Sequence, residues 1–301
     1  MFEKFKSSLE EIIKQEEIVF LDTNIFDPKD SGEKDAIKTL FNISSLSETD
    51  EDTWRKEIEY GNFMRQILRE NNNVYVTEKV REEINRKHRI ATIEGGKFIG
   101  NCPGKWRRFE AGTIEPALAE LLEETLCTYN FINELVNQSV FQIRDTIPIK
   151  NLVSILKSVN EKYKLVKNQK HLERSTNHGE NEKDTDFYIA ATALYASVSN
   201  KAKVGIISRD NDIGRLVAFI GAAISTSNNS SENFWSPLIE KGIRLYNSSN
   251  DIWSDKLIIR GRIQERILPA QYNGAYLSED KTVTENIDKI ISSFEKANSH
   301  T

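Results

Sequence analysis

Acidic side chains recur at the ends of apolar runs in this chain. Asp22 follows IVFL (Ile18–Leu21), a short continuous apolar stretch of the kind that forms a strand buried on both faces. Asp210 follows a second such run, VGIIS (Val204–Ser208), and Asp212 lies two residues further on. Glu82 and Glu83 fall about one and a half turns into a polar helix expected after VYVT (74–77). Asp184 and Asp186 introduce IAATALYASV, a small-residue helix expected ahead of VGIIS. In an open parallel sheet, ligands bind outside the carboxyl ends of the strands, where strand order reverses. Acids delivered there from distant segments therefore point to one shared site. Clustered carboxylates repel one another and are tolerated mainly around a divalent cation, and oxygen ligands without His or Cys favour magnesium or manganese over zinc. Such an ion lowers the pKa of a bound water, orients it for in-line attack on phosphorus and offsets charge on the leaving oxygen. The chemistry expected is hydrolysis of a phosphodiester.

The elements that must position these acids are legible as alternating strands and helices. The amino terminus spaces Phe2, Phe5, Leu9, Ile12 and Ile13 along one helical face. A helix is expected over 48–70, stopped by Asn71, Asn72 and Asn73, then the strand 74–77 and the polar helix 78–88. Glycines and a proline at Gly95, Gly96, Gly100, Pro103, Gly104 and Gly112 predict a loop over 94–112. Further along, a helix is expected over 114–138, a strand over 140–149 and a helix over 151–166, followed by a polar connection to Lys183. After VGIIS the pattern gives a helix over 213–224, a Ser- and Asn-rich loop over 225–233 and a strand over 243–246. Alternation of this kind means an α/β fold with a mostly parallel sheet and helices on both faces. Residues from Ser248 onward receive no fold from their pattern.

Four blocks in this order, LDTN with Asp22, VREEI with Glu83, TDFYIAA with Asp186 and ISRDND with Asp210 and Asp212, resemble the PIN-domain family of nucleases. They span 18–213. The resemblance implies a three-layer, Rossmann-like PIN fold with a parallel sheet of four to five strands over residues 1–247. It leaves a large, mostly helical insertion at about 92–183 and a carboxyl-terminal extension, 248–301. It implies a metal-dependent phosphodiesterase, RNA favoured over DNA as substrate, with Asp22, Glu83, Asp186 and Asp210 as catalytic residues around one or two magnesium or manganese ions. Asp184 and Asp212 join them as metal ligands, and Thr23, Asn24 and Ser208 support them. The family includes ribonuclease toxins paired with antitoxins, RNA-processing and decay nucleases and relatives of flap endonucleases. A homodimer, a protein partner and a structure-specific DNA nuclease stay open as alternatives, as does a non-catalytic PIN-like module that binds RNA or protein.

Each residue also has a plainer reading. Asp22 and Asp210 suit helix caps and turns, Asp212 a first-turn acid near a helix N-terminus, and Asp184 an exposed charged run, ENEKD. Glu83 is preferred over Glu82 because it directly precedes the apolar residue of the pattern. Thr23, Asn24 and Ser208 also make ordinary turn hydrogen bonds. His88, His171 and His178 lack metal-ligand spacing and are expected to be solvated. From Arg86 to Arg108 basic residues outnumber acidic ones, and Lys97, Lys105, Trp106, Arg107 and Arg108 suit phosphate contacts with one aromatic stacking on a base. The plainer alternative is a solvated loop with Trp106 tucked into the core.

Composition narrows the classes further. At 301 residues, with 38% hydrophobic and 29% charged residues, the chain can bury a sizeable core. No run approaches roughly 18 consecutive apolar residues, and the acidic amino terminus does not suit a signal or transit peptide, so a cytoplasmic protein without membrane contact is expected. Cys102 and Cys127 are too few for a disulfide framework or a zinc site and are expected as reduced thiols. A net charge of −5 argues against a bulk-charge nucleic-acid coat. A haloacid-dehalogenase-like phosphatase would need a second Asp where Asn24 stands, and no Gly-x-Gly-x-x-Gly or Walker loop is present.

Overall fold

Ile18–Leu21 forms strand β1 and Val204–Ser208 forms β3, and every residue of both is buried, as their unbroken apolar runs require. The computed structural model that shows this describes residues 2–26, 48–101, 116–143, 146–163, 185–209, 212–226, 240–249 and 252–259, with 285, 289 and 292. Its helices are α1 (Phe2–Gln15), α2 (Glu48–Glu70), α3 (Glu78–Asn101), α4 (Pro116–Gln138), α5 (Ile147–Tyr163), α6 (Thr185–Ser199) and α7 (Asp212–Thr226). Strands β2 (Val74–Tyr75), β4 (Ile243–Ser249) and β5 (Ile252–Ile259) complete a five-stranded sheet of order β2-β1-β3-β4-β5. The first four are parallel and β5 runs antiparallel to β4. The chain is thus a mixed α/β protein with a four-strand parallel sheet. Among the described residues no helix is long and apolar enough to cross a membrane.

Two compact units make up the chain. The first comprises Met1–Asp22, Asn73–Lys79 and Phe141–Thr301, and the second Thr23–Asn72 and Val80–Val140. In the first unit, α6 packs on β1, β3 and β4 and also touches α5 and α7. Its composition explains the fit, because small Ala190, Ala191, Ala193 and Ala196 are all solvent-free and let the helix lie close. Phe141 seats its ring edge-on to Phe20 and Tyr75, both at 5.2 Å, and its backbone N–H donates to the Val76 carbonyl at 3.0 Å.

That contact replaces a full strand. The strand expected over 140–149 is not formed, and α5 already begins at Ile147. Pro148 has its fixed φ and missing N–H in the first helical turn, where both are tolerated, and the Lys150 N–H bonds back to the Thr146 carbonyl at 3.0 Å. The loop expected over 94–112 is also partly helix, since α3 continues through Gly95, Gly96 and Gly100 to Asn101. Glycine costs about 1 kcal/mol in a helix but does not forbid it, and extending an existing helix avoids the cost of nucleation. The extension without assigned fold supplies β5.

At the sheet's amino edge, Gly205 leaves space for Glu16. A methyl group there would stand 2.8 Å from Glu16 Cγ and 3.2 Å from Tyr246 Cε2. The Glu16 carboxyl, with no exposed side-chain surface, accepts a short hydrogen bond from the Tyr246 hydroxyl and faces Lys203 Nζ at 3.4 Å and Arg244 Nη1 at 4.0 Å. Burial, then the hydrogen bond and charge of Glu16, push the Tyr246 phenol well above its usual pKa, which keeps the donor proton in place at neutral pH. Beside it, Glu17 bonds Lys241 at 2.7 Å and the Lys203 N–H at 2.7 Å, chiefly the former holding its carboxyl below the ordinary pKa.

The second unit is helical, with α2 packed on α4. A Cβ on Gly61 of α2 would lie 2.4 Å from Thr128 Cγ2 of α4, so the helices approach too closely for alanine. Gly61→Ala should destabilise the protein by about 1–2 kcal/mol, the overlap exceeding alanine's gain in helix propensity. Adding Thr128→Ser removes the opposing methyl. A double-mutant cycle read by urea denaturation should then recover most of the loss, and simple additivity would contradict the packing.

His88 corrects an expectation of solvation. It is only 6% exposed, stacks on Tyr129 with centroids 4.6 Å apart and places Nδ1 2.7 Å from Asn133 Oδ1. Burial lowers its pKa from 6.5 to about 4, against the opposing hydrogen bonds of Asn133 and the Tyr129 backbone. The folded state therefore binds this proton less readily than the unfolded chain. Stability from this group is fully present above pH 6.5 and declines as pH falls to about 4, by about 3 kcal/mol in all. Denaturation midpoints of His88→Gln should fall less over that interval than those of the parent, and parallel curves would show that other groups control the acid response.

Candidate active site at the carboxyl edge of the sheet

The sheet order determines where a ligand can enter. From β1 the chain moves to β2 on one side and later to β3 on the other, so the carboxyl ends of β1 and β3 flank the point where direction reverses. Asp22 stands there. Its N–H donates to the Ile207 carbonyl at 3.0 Å, which extends the β1–β3 ladder by one step, and its side chain is buried at 4% exposure. Leu21 pairs with Ile207, so the next residues, Asp22 and Ser208, are neighbours. The Ser208 hydroxyl donates to Asp22 Oδ2 at 2.7 Å. Ser208 is itself held from β4, where Asn247 Nδ2 donates to its carbonyl at 3.1 Å. Three adjacent strands thus fix one carboxylate.

Other acids reach the same edge by topology. Helix α6 ends just before β3 begins, so its carboxyl terminus lies at the amino edge. Its 15 residues cover about 22 Å, more than the rise of a five-residue strand, roughly 17 Å. Asp186 in its first turn is therefore carried to the carboxyl edge, where the helix N-terminus favours a negative charge. Asp212 opens α7 only four positions beyond Ser208. It is 6% exposed and paired with Arg215 Nη1 at 2.5 Å, so this carboxylate already has a cationic partner. Asp184 and Asp210 lie outside the described residues, as do Lys105, Trp106, Arg107, Arg108, His171, His178 and Cys102. Cys127 is an exposed free thiol.

Within the helical unit, Thr23 and Glu83 come together. Thr23, which follows Asp22 in the chain, opens the short 3-10 turn Thr23–Ile25 together with Asn24, and its hydroxyl donates to Glu83 Oε2 at 2.9 Å. Lys87 pairs with the other oxygen, Oε1, at 2.9 Å. Glu82 is exposed while Glu83 is half-buried, which favours Glu83 as the glutamate built into structure. The turn is anchored by Tyr60 of α2, whose hydroxyl donates to the Ile25 carbonyl. Lys97 falls on α3.

Several partners went unnoticed in the sequence. Asp212 and Arg215 are three apart and Glu83 and Lys87 four apart, spacings that face each other on a helix and signal ion pairs. Tyr60 and Lys79 carry no such local signal, because their contacts reach residues distant in sequence. Lys79 Nζ of α3 lies 5.8 Å from the ring centre of Tyr188 of α6.

The donor chemistry suits a hard divalent ion, because every acid named is an oxygen ligand and Asp22 is held rigidly at the switch point. Among the described residues no three His, Cys, Asp or Glu side chains are grouped so as to hold a metal ion. Compared with protein-family models, curated proteins and solved structures, the chain matches none of them.

Proposed function

We propose that this protein is a PIN-like, metal-dependent nuclease that hydrolyses phosphodiester bonds, with RNA as the favoured substrate. One observation carries the reading. Asp22 is buried at the switch point of a parallel sheet and fixed by Ser208 at the end of the neighbouring strand. Burying an acid costs stability unless its charge is used or compensated, and a divalent ion at this edge would use it. Asp22, Asp186 and Asp210 would hold magnesium or manganese. When bound, that ion would activate water and offset charge on the leaving oxygen.

The chain's own residues supply orientation. Ser208 fixes the rotamer of Asp22 by occupying one carboxylate oxygen, and Asn247 fixes Ser208 in turn. The N-terminus of α6 favours ionised Asp186. Glu83 takes the remaining acidic role by its place in the sequence pattern, and Thr23 orients it. Cleavage of labelled single-stranded RNA, duplex RNA and flapped DNA in magnesium tests the reading. Single-stranded RNA is expected to be cut fastest. Binding without cutting would favour the non-catalytic module, and faster cutting of the flap would favour a DNA nuclease.

A further inference from the structure

Lys79 and Tyr188 are not among the acids discussed, yet they come to the same edge from two different elements. Lys79 lies in the first turn of α3, directly after β2, and Tyr188 in the first turn of α6, two residues beyond Asp186. Both helix starts belong to the sheet unit and sit at the carboxyl ends of its strands. Both side chains are half-buried, so neither is lost in the core. The flanking residues Thr185, Phe187 and Ile189 are buried and hold the start of α6 in place.

We infer that Lys79 and Tyr188 form a nucleotide subsite, in which an unpaired base stacks on the Tyr188 ring and Lys79 holds an adjoining phosphate. The inference rests on the nuclease reading and adds residues that the carboxylate pattern did not contain. The ammonium group at 5.8 Å from the ring centre lies near the outer limit of a cation–π contact, about 6 Å. A base stacked on an aromatic ring contributes roughly tenfold to a hundredfold in affinity, so an arriving base outcompetes the lysine for the ring face. The flexible lysine stem then lets the charge follow the phosphate while its methylenes stay against the protein. Asp186 lies in the same first turn of α6, two residues before Tyr188. A paired base has its faces covered by its neighbours, so this subsite selects unpaired nucleotides.

Anisotropy of a labelled single-stranded RNA pentamer and of a matched duplex, measured in EDTA across a salt series, separates the possibilities. Tyr188→Leu should weaken single-strand binding about tenfold or more and leave the duplex nearly unchanged, while Tyr188→Phe should bind as the parent does. Lys79→Gln should weaken single-strand binding and reduce the salt slope by about 0.7. Parent-like binding by both Tyr188→Leu and Lys79→Gln would overturn the subsite and leave the nuclease reading to its cleavage assay. Equal losses in Tyr188→Phe and Tyr188→Leu would also overturn it, since the hydroxyl and not the ring would then matter. A parent protein that binds neither RNA overturns the subsite and, if it also cuts none, the nuclease reading as well.

Discussion

Replacing Asp22 by Asn should lower single-turnover cleavage by about a thousandfold or more, while the protein melts no earlier than its parent. The carboxylate charge is removed at the switch point, where activation of water is proposed, and several kcal/mol of transition-state stabilisation correspond to that factor. The fold should survive because the Asn carbonyl still accepts the Ser208 hydroxyl, which now bonds Asp22 at 2.7 Å. Removing an acid that is 4% exposed also removes a desolvation cost. Binding of RNA without metal should be unchanged or tighter, since one negative charge near the phosphates is gone. Single-turnover rates at saturating enzyme, with anisotropy in EDTA, separate the two effects. Loss of both cleavage and binding would mean that Asp22 is a structural acid.

The second large effect is on stability. Glu16→Ala should destabilise the protein by about 3 kcal/mol, at the low end for breaking a buried ionic group because Lys203 and Arg244 retain some solvent. Alanine leaves the Tyr246 hydroxyl without its acceptor and opens space beside Gly205, where Glu16 Cγ now fills the position a side chain would take. Glu16→Gln keeps an acceptor and most of the volume, so it should lose clearly less. Urea midpoints at constant slope measure both. Equal losses would show that charge, not volume or the Tyr246 bond, dominates.

Where local pattern and tertiary demand agreed, the sequence was sufficient. β1 and β3 were readable to the residue because both faces are covered and the apolar runs are unbroken. Helix α2, bounded by an acidic start and the Asn71–Asn73 stop, was equally plain. The failures have specific causes. Pro148 reads equally as the end of a strand or as a first-turn residue, and only the Thr146–Lys150 hydrogen bond decides. Strand β5 mixes Trp253, Asp255 and Lys256 among its apolar residues, and its partner β4 is what gives that segment a register. His88 looked solvated because the polar residues around it say nothing of Tyr129 and Asn133, which arrive from another helix.

The candidate site divides in the same way. Asp22 and Ser208 were each named from strand ends, and their contact follows from β1 and β3 being neighbours, which periodicity does not encode. Preference for Glu83 over Glu82 came from one apolar neighbour, and the Thr23 hydroxyl that bonds Glu83 comes from 60 positions away, a contact that local pattern does not encode. Arg215 on Asp212 changes the standing of that acid, since ligation of a metal would have to compete with an existing ion pair.

The most direct measurement is cleavage of single-stranded RNA by EDTA-treated protein after each metal is returned separately. Magnesium or manganese should restore cutting and zinc should not, because the proposed ligands are hard oxygens. Undiminished cutting in EDTA, or restoration by zinc alone, would contradict a carboxylate-held magnesium or manganese ion at Asp22.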